Sequence, residues 1–235
     1  MHDSDALTEG KLKVLLDITN KCNLRCVMCH FSFDRVFYRP AQHLTPEQFL
    51  HIADGVFRYA HTVVLSAGSE PTVSPHFERI LELASRYPLK GLQFLTNGQR
   101  LERRTIEAIL DSAVTQIDVS IDGATAPTYE RIRRSGKFDR LVGNLRALQA
   151  GKLRRGLTRP LMQFNLTLMR SNLHELNAFV DLAESCGVER IGARHLHGNA
   201  AERWPSAPGQ RGIGRVTDQV RRLAGRRPAG GAWRA

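Results

Sequence analysis

The sequence predicts an α/β fold built on a parallel sheet, and three observations predict it. Six short apolar, β-branched runs lie between residues 13 and 197. Amphipathic stretches of helical spacing separate them, and strand–helix alternation at this interval needs crossovers that return to a parallel neighbour. Polar and glycine-rich residues follow the apolar runs ("TNKCN", "SAGSEP", "TNG", "SIDG", "HLHG"). Function is therefore expected at the carboxyl ends of the strands. Six such strands either curl into part of a (β/α) barrel or wind doubly, and the pattern alone leaves both open.

In chain order, the strand runs are "KVLLDIT", "HTVVLSAG", "GLQFLTNG", "TQIDVSIDG", "LMQFNLTLM" and "ERIGARHLH". The helical stretches are "TPEQFLHIADGVFRYA", "SPHFERILELASRY", "LERRTIEAILDS", "KFDRLVGNLRALQAG" and "NLHELNAFVDLAESCG". Thr45-Pro46 and Ser74-Pro75 each put a hydroxyl ahead of a proline suited to the first helical position. Gly151 and Gly187 suit helix ends.

Length and composition bound the rest. A chain of 235 residues with 42% hydrophobic content buries a substantial core and reads most simply as one α/β domain. Residues 1–11 form a polar segment with neither a secretory signal nor a basic transit pattern, no apolar run is long enough to span a bilayer, and a cytoplasmic location is expected. The net charge of +11 first suggests an anionic partner. Its distribution argues otherwise: residues 199–235 hold eight Arg against two acids, whereas residues 1–198 hold 26 basic against 21 acidic side chains. Nucleic acid is accordingly not the expected partner. This Arg-, Gly-, Ala- and Pro-rich tail is expected to pack poorly. It reads either as native or as the product of a truncated or frame-shifted reading frame.

Three of the four cysteines crowd into "TNKCNLRCVMCH" as Cys22-x3-Cys26-x2-Cys29, directly after the first strand run. Three thiolates on one loop can cap three corners of an iron–sulfur cube and leave the fourth iron open to a ligand. A zinc site would need a fourth donor, from His30, a distant His or Cys186. Cys186, at the end of a helical stretch, reads as a small buried hydrophobe.

The triad and its position resemble the signature of the radical S-adenosylmethionine (radical SAM) superfamily, C-x3-C-x-Φ-C, with Met28 at the Φ position usually held by an aromatic residue. The resemblance runs from about residue 12 to 198, taken as the core domain, and implies a partial (β/α)6 TIM-like barrel with parallel strands. It implies a 4Fe–4S cluster on Cys22, Cys26 and Cys29, and SAM as cofactor. "SAGSEP" resembles the family's GGEP motif as Gly68-Ser69-Glu70-Pro71, with Ser69 in place of the second glycine; backbone carbonyls and Glu70 there would meet the methionyl ammonium. Met28 would pack beside the cofactor. Ser120 in the "SIDG" segment would contact it, Asn97 serves either the cofactor or its own turn, and Asp122 is expected to organise its own turn. "YERIRRSGKFDRLVGNL" resembles a segment of the SPASM/MoaA-like branch in which an arginine reaches the SAM carboxylate. Arg133 is the first choice, Arg131 the second, and a solvated helix face the alternative. Asn165 with Thr167, and His195 with His197, are expected to turn one member of each pair toward the barrel interior.

The implied chemistry is reductive cleavage of SAM to methionine and a 5′-deoxyadenosyl radical that removes hydrogen from a peptide or small metabolite. An electron donor such as flavodoxin or ferredoxin would be the protein partner. Many relatives continue into a C-terminal region with further cysteines, and this chain has none after Cys186. Two other readings compete: a non-catalytic zinc or iron–sulfur protein using the same loop, and a basic RNA-binding module acting through the tail.

Overall fold

The computed structural model describes residues 12–66 and 68–196. The polar segment 1–11, the tail 199–235 and His197 lie outside the described residues. Along the chain run β1 (Leu12–Leu16), β2 (Arg25–Cys26), α1 (Asp34–Phe37), α2 (Pro46–Val56), β3 (Ala60–Leu65), α3 (Phe77–Ala84), β4 (Gly91–Thr96) and α4 (Arg103–Asp111). They are followed by β5 (Gln116–Ser120), α5 (Ala126–Ile132), β6 (Arg133–Arg134), α6 (Phe138–Arg154), β7 (Leu161–Leu168), α7 (Leu176–Ser185) and β8 (Arg190–His195).

All six expected strands join one sheet in the order β1-β3-β4-β5-β7-β8, and every adjacent pair is parallel. Because this order never reverses, the sheet has no switch point of the doubly wound kind. It is singly wound, as part of a (β/α) barrel requires, with β1 and β8 at its two ends. The short β2 and β6 form a separate antiparallel ribbon.

One face of the sheet is packed by the helices. Along β7, Met162, Phe164, Leu166 and Leu168 are buried in the main core, while Gln163, Asn165 and Thr167 are half-buried on the other face. Phe94 meets Phe77 of α3 at 5.3 Å between ring centroids, and Phe164 meets Phe179 of α7 at 5.5 Å, both edge-on. A strand side chain shares its face with the residue two positions on, so Asn165 and Thr167 point the same way. That corrects the expectation of one inward member. His195 is exposed at the end of β8.

Helix ends follow the sequence in part. Thr45 caps α2 in a reciprocal box: its hydroxyl accepts from the Gln48 N–H, and the Gln48 side chain accepts from the Thr45 N–H. Ser74 does not cap α3 directly. Its hydroxyl accepts from the His76 N–H within the turn that follows Pro71–Val73, and the helix starts at Phe77. Gly187 closes α7 at φ +67°, as expected. Gly151 does not end α6 but lies inside it, facing α4, where a Cβ would stand 2.7 Å from Leu110 Cδ1. Helix α6 ends past Arg154, with Gly156 at φ +62°. α1, α5 and the β2–β6 ribbon are additional to the elements expected from the sequence.

Glu175, buried ahead of α7, ties that helix to the β5–α5 turn by accepting from the Ala124 N–H (2.7 Å) and the Thr125 hydroxyl (2.5 Å). Burial works against its charge, but hydrogen bonds from Thr125, Thr128 and Ala124 outweigh it and hold the carboxyl below its ordinary range. A depressed carboxylate stabilises the fold above the unfolded pKa, and that contribution is lost as pH falls through the folded one. Glu175→Ala is therefore expected to cost about 1–3 kcal/mol at neutral pH. In urea unfolding the difference from wild type should narrow on acidification; a difference independent of pH would show that the charge is not what stabilises.

Candidate active site

The carboxyl ends of the strands meet the cysteine loop at one cavity of about 350 Å³. Cys22, Cys26 and Cys29 line it together with Met28, Gly68, Ser69, Glu70, Asn97, Ser120 and Arg133. Pro71 and Asn165 do not. Pro71 is buried at the start of the turn that holds Glu70. Asn165 pairs opposite Ser120 in the sheet, but its side-chain oxygen is engaged by Gln163 at 2.9 Å.

Each strand end contributes a clamp. After β1, Asp17 Oδ1 accepts from the Gly68 and Ser69 N–H groups (3.2 and 3.3 Å) and from the Ser69 hydroxyl (2.9 Å), fixing the "GSEP" turn. Ser66 enters that turn at φ +81°, a left-handed conformation uncommon outside glycine, and donates its hydroxyl to the Ser69 carbonyl at 2.5 Å. Strained backbone of this kind recurs at functional sites. Among the described residues a Cβ on Gly68 would meet only Phe31, at 3.6 Å, so this stretch of cavity wall is bare backbone.

Glu70 is 2% exposed, and its carboxylate is fully engaged. Oε1 accepts from the Thr72 N–H (3.3 Å), the Thr72 hydroxyl (2.5 Å) and the Thr96 hydroxyl (2.8 Å); Oε2 accepts from the Asn97 N–H (2.6 Å). The Glu70 N–H donates to the Lys21 carbonyl of the cysteine loop at 2.9 Å. Asn97 serves its own turn and also reaches the cysteine loop. Its oxygen accepts from the Gln99 N–H in the turn, and its amide donates to Asn23 at 2.8 Å and lies 3.8 Å from Cys22 Sγ.

The loop itself is cross-tied. Cys26 belongs to β2, paired in register with Arg133 of β6, and its carbonyl accepts from the Ser32 hydroxyl at 2.6 Å. Lys21 donates to the carbonyls of Phe37 and Arg39. Met28 packs with Val27 against Ile132, Met169 and Leu196, a small apolar cluster beside the cavity.

All the cysteines are free thiols. Burial pushes Cys22 up to about 12, with the nearby Glu70 adding to the rise against a hydrogen bond from the Leu24 N–H. Burial also raises Cys26, opposed by Arg133. Metal-free, burial thus favours the neutral thiol at Cys22 and Cys26; a bound metal ion deprotonates a coordinating thiol outright. Three soft sulfurs around one cavity fit an iron–sulfur cluster, whose ligands are cysteine thiolates. Among the described residues no three His, Cys, Asp or Glu side chains form a group that could hold a single ion. The sulfurs border the cavity separately. Cys186, the alternative fourth ligand, is 1% exposed in the main core and does not line the cavity. Arg131 is directed away, donating to the Ser171 carbonyl.

The Asp122 side chain reaches two other elements rather than its own turn. It is fully buried, Oδ1 accepts from the Thr167 N–H at 2.7 Å, and Oδ2 lies 2.7 Å from Arg133 Nη2. Asp17 was not among the residues expected at the site, and Asp122 was expected only in its own turn. An acidic residue closing an apolar strand run, as at Asp17, was the available signal.

A family model described as the radical SAM superfamily matches residues 16–183. The chain belongs to the radical SAM superfamily. Radical SAM proteins use a 4Fe–4S cluster and SAM, and the fit of the thiols accords with membership. Among its relatives, the mycofactocin maturase MftC of Mycobacterium tuberculosis is 29% identical over 189 residues, which cover 80% of this chain and 46% of that protein. The GTP 3′,8-cyclase of Erythrobacter litoralis is 29% identical over 177 residues, covering 73% and 50%. In fold, the chain is similar to Streptococcus suis SuiB bound to S-adenosylmethionine, with a TM-score of 0.68 at 16% identity over 89% of this chain and 47% of that one. The chain spans about half the length of the curated relatives it matches. No helix among the described residues is long and apolar enough to cross a membrane.

Proposed function

We propose that residues 12–198 form the core domain of a radical SAM enzyme that abstracts hydrogen from a peptide or small metabolite. One observation carries the reading: Cys22, Cys26 and Cys29 border the same cavity as Gly68, Ser69, Glu70, Asn97, Ser120 and Arg133, at the carboxyl ends of the strands. The three thiols would hold a 4Fe–4S cluster, leaving one iron for SAM, and that cluster supplies the electron for SAM cleavage.

The chain's own residues do the positioning. Asp17 and Glu70 hold the "GSEP" backbone and the ends of β3 and β4, so that carbonyls and small side chains face the ligand. Asn97 and Ser120 offer hydrogen bonds from β4 and β5, and Arg133 offers a buried cation for a carboxylate. Met28, with its apolar neighbours, walls water off one side. Pro71 supports the site by starting the turn behind Glu70, and Asn165 extends the polar inner face beside Ser120. A cavity of about 350 Å³ falls within the roughly 300–1,000 Å³ of small-molecule sites.

A peptide substrate is favoured by the company the chain keeps: one relative is a maturase, and SuiB has been crystallised with its precursor peptide SuiA. The electron would come from a carrier of the flavodoxin or ferredoxin kind, in the cytoplasm.

Anaerobic reconstitution tests the reading. Dithionite reduction of the reconstituted protein with SAM should release 5′-deoxyadenosine, whereas stoichiometric zinc in colourless protein would support the non-catalytic alternative. Cys186→Ala should leave iron content and brown colour unchanged, at a stability cost on the order of 1 kcal/mol. Loss of iron in that variant would make Cys186 a ligand.

A further inference from the structure

Arg133 is buried where a neutral side chain would cost less to desolvate. The ribbon register sets it opposite Cys26, and Nη1 lies 3.8 Å from Cys26 Sγ, within reach of a hydrogen bond to sulfur. Nη2 faces Asp122 Oδ2 at 2.7 Å, yet among the described residues the carboxylate oxygen receives no well-directed N–H and Nε of Arg133 has no hydrogen-bond partner. The pair is thus a charge contact with hydrogen-bonding capacity to spare. Asp122 is held in turn by the Thr167 N–H, which fixes where the guanidinium can sit. Burial alone would weaken the charge on Arg133, and Asp122, Cys26 and Tyr129 together more than offset it.

We propose that Arg133, oriented by Asp122, is a positioning residue that donates to the Cys26 sulfur and raises the reduction potential of the cluster on the loop. This rests on the cluster reading above. Reduction adds negative charge to a cluster, so a cation and an N–H at a ligand sulfur stabilise the reduced form. The low dielectric of a buried site strengthens both effects. Asp122 carries the opposite sign and restrains the rise. Arg133 and Asp122 therefore act as an opposed pair, with the arginine nearer the sulfur.

The test is an EPR-monitored redox titration of the anaerobically reconstituted full chain. Arg133→Gln should hold at least tenfold less reduced cluster at a given poise, about 59 mV more negative for one electron. Asp122→Asn keeps an oxygen for the Thr167 N–H and should shift the potential the other way. Arg133→Lys, with the charge but not the planar fork, should fall between wild type and Arg133→Gln, and it serves if the glutamine variant fails to fold. Shifts of the same sign in the Arg133→Gln and Asp122→Asn variants would mean a loosened loop and would overturn the inference. So would an unchanged potential in Arg133→Gln with weakened SAM binding, which would leave the arginine a cofactor anchor alone. A wild-type protein that takes up no cluster would sink the underlying reading instead, and this one with it.

Discussion

Glu70→Ala is expected to destabilise the metal-free protein by about 3–5 kcal/mol. The truncation removes one buried carboxylate and orphans four donors: the Thr72 N–H and hydroxyl, the Thr96 hydroxyl and the Asn97 N–H. An orphaned buried donor costs about 1–3 kcal/mol, and water entering from the adjoining cavity relieves part of the sum. For a chain of this size, each kcal/mol lowers the melting temperature by about 2–4 °C. Glu70→Gln should lie between, since its amide replaces one acceptor with a donor. Burial, ahead of these hydrogen bonds, pushes the Glu70 carboxyl above its ordinary range, so the site depends on all four contacts to carry the charge. The brace joins β3, β4 and, through the Glu70 N–H, the cysteine loop. An alanine variant within about 1 kcal/mol of wild type in denaturant would show that the four contacts do not carry the strand ends.

How far the sequence could be read depended on how local each cause was. Apolar period gave all six strands of the sheet, because β-branched runs between glycine-rich ends have few other uses. The cysteine triad was legible for the same reason: its spacing lies within one loop. The short α5 was missed because "APTYERI" has little apolar period, although Thr125 and Pro127 were start signals. Gly151 was misread as a helix end because what it faces is Leu110 on another helix, a contact no propensity encodes. The clamps of the site were the least visible. Asp17 acts on Gly68, 51 residues away, and Asp122 on Thr167, 45 residues away. Glu70 was assigned to the cofactor from its motif, whereas its four donors come from its own turn and the neighbouring strand end.

Cys26→Ala is expected to abolish cluster binding, the largest effect on function. Cys26 is the only one of the three thiols in a paired strand, fixed opposite Arg133 and by the Ser32 hydroxyl on its carbonyl. Those backbone contacts survive the substitution, so the metal-free fold should change little while the sulfur is lost. Two remaining thiols cannot hold three corners of a cube. A Cys26→Ala protein that keeps its iron and its colour would move the cluster elsewhere.

Mössbauer spectroscopy of the wild-type full chain, reconstituted anaerobically with iron-57 and sulfide, decides whether the cysteine loop holds a cubane with one open iron. A 4Fe–4S signal is expected in which one iron site alone changes when SAM is added. A spectrum without a cubane, or with four irons that do not respond to SAM, would contradict the cluster reading.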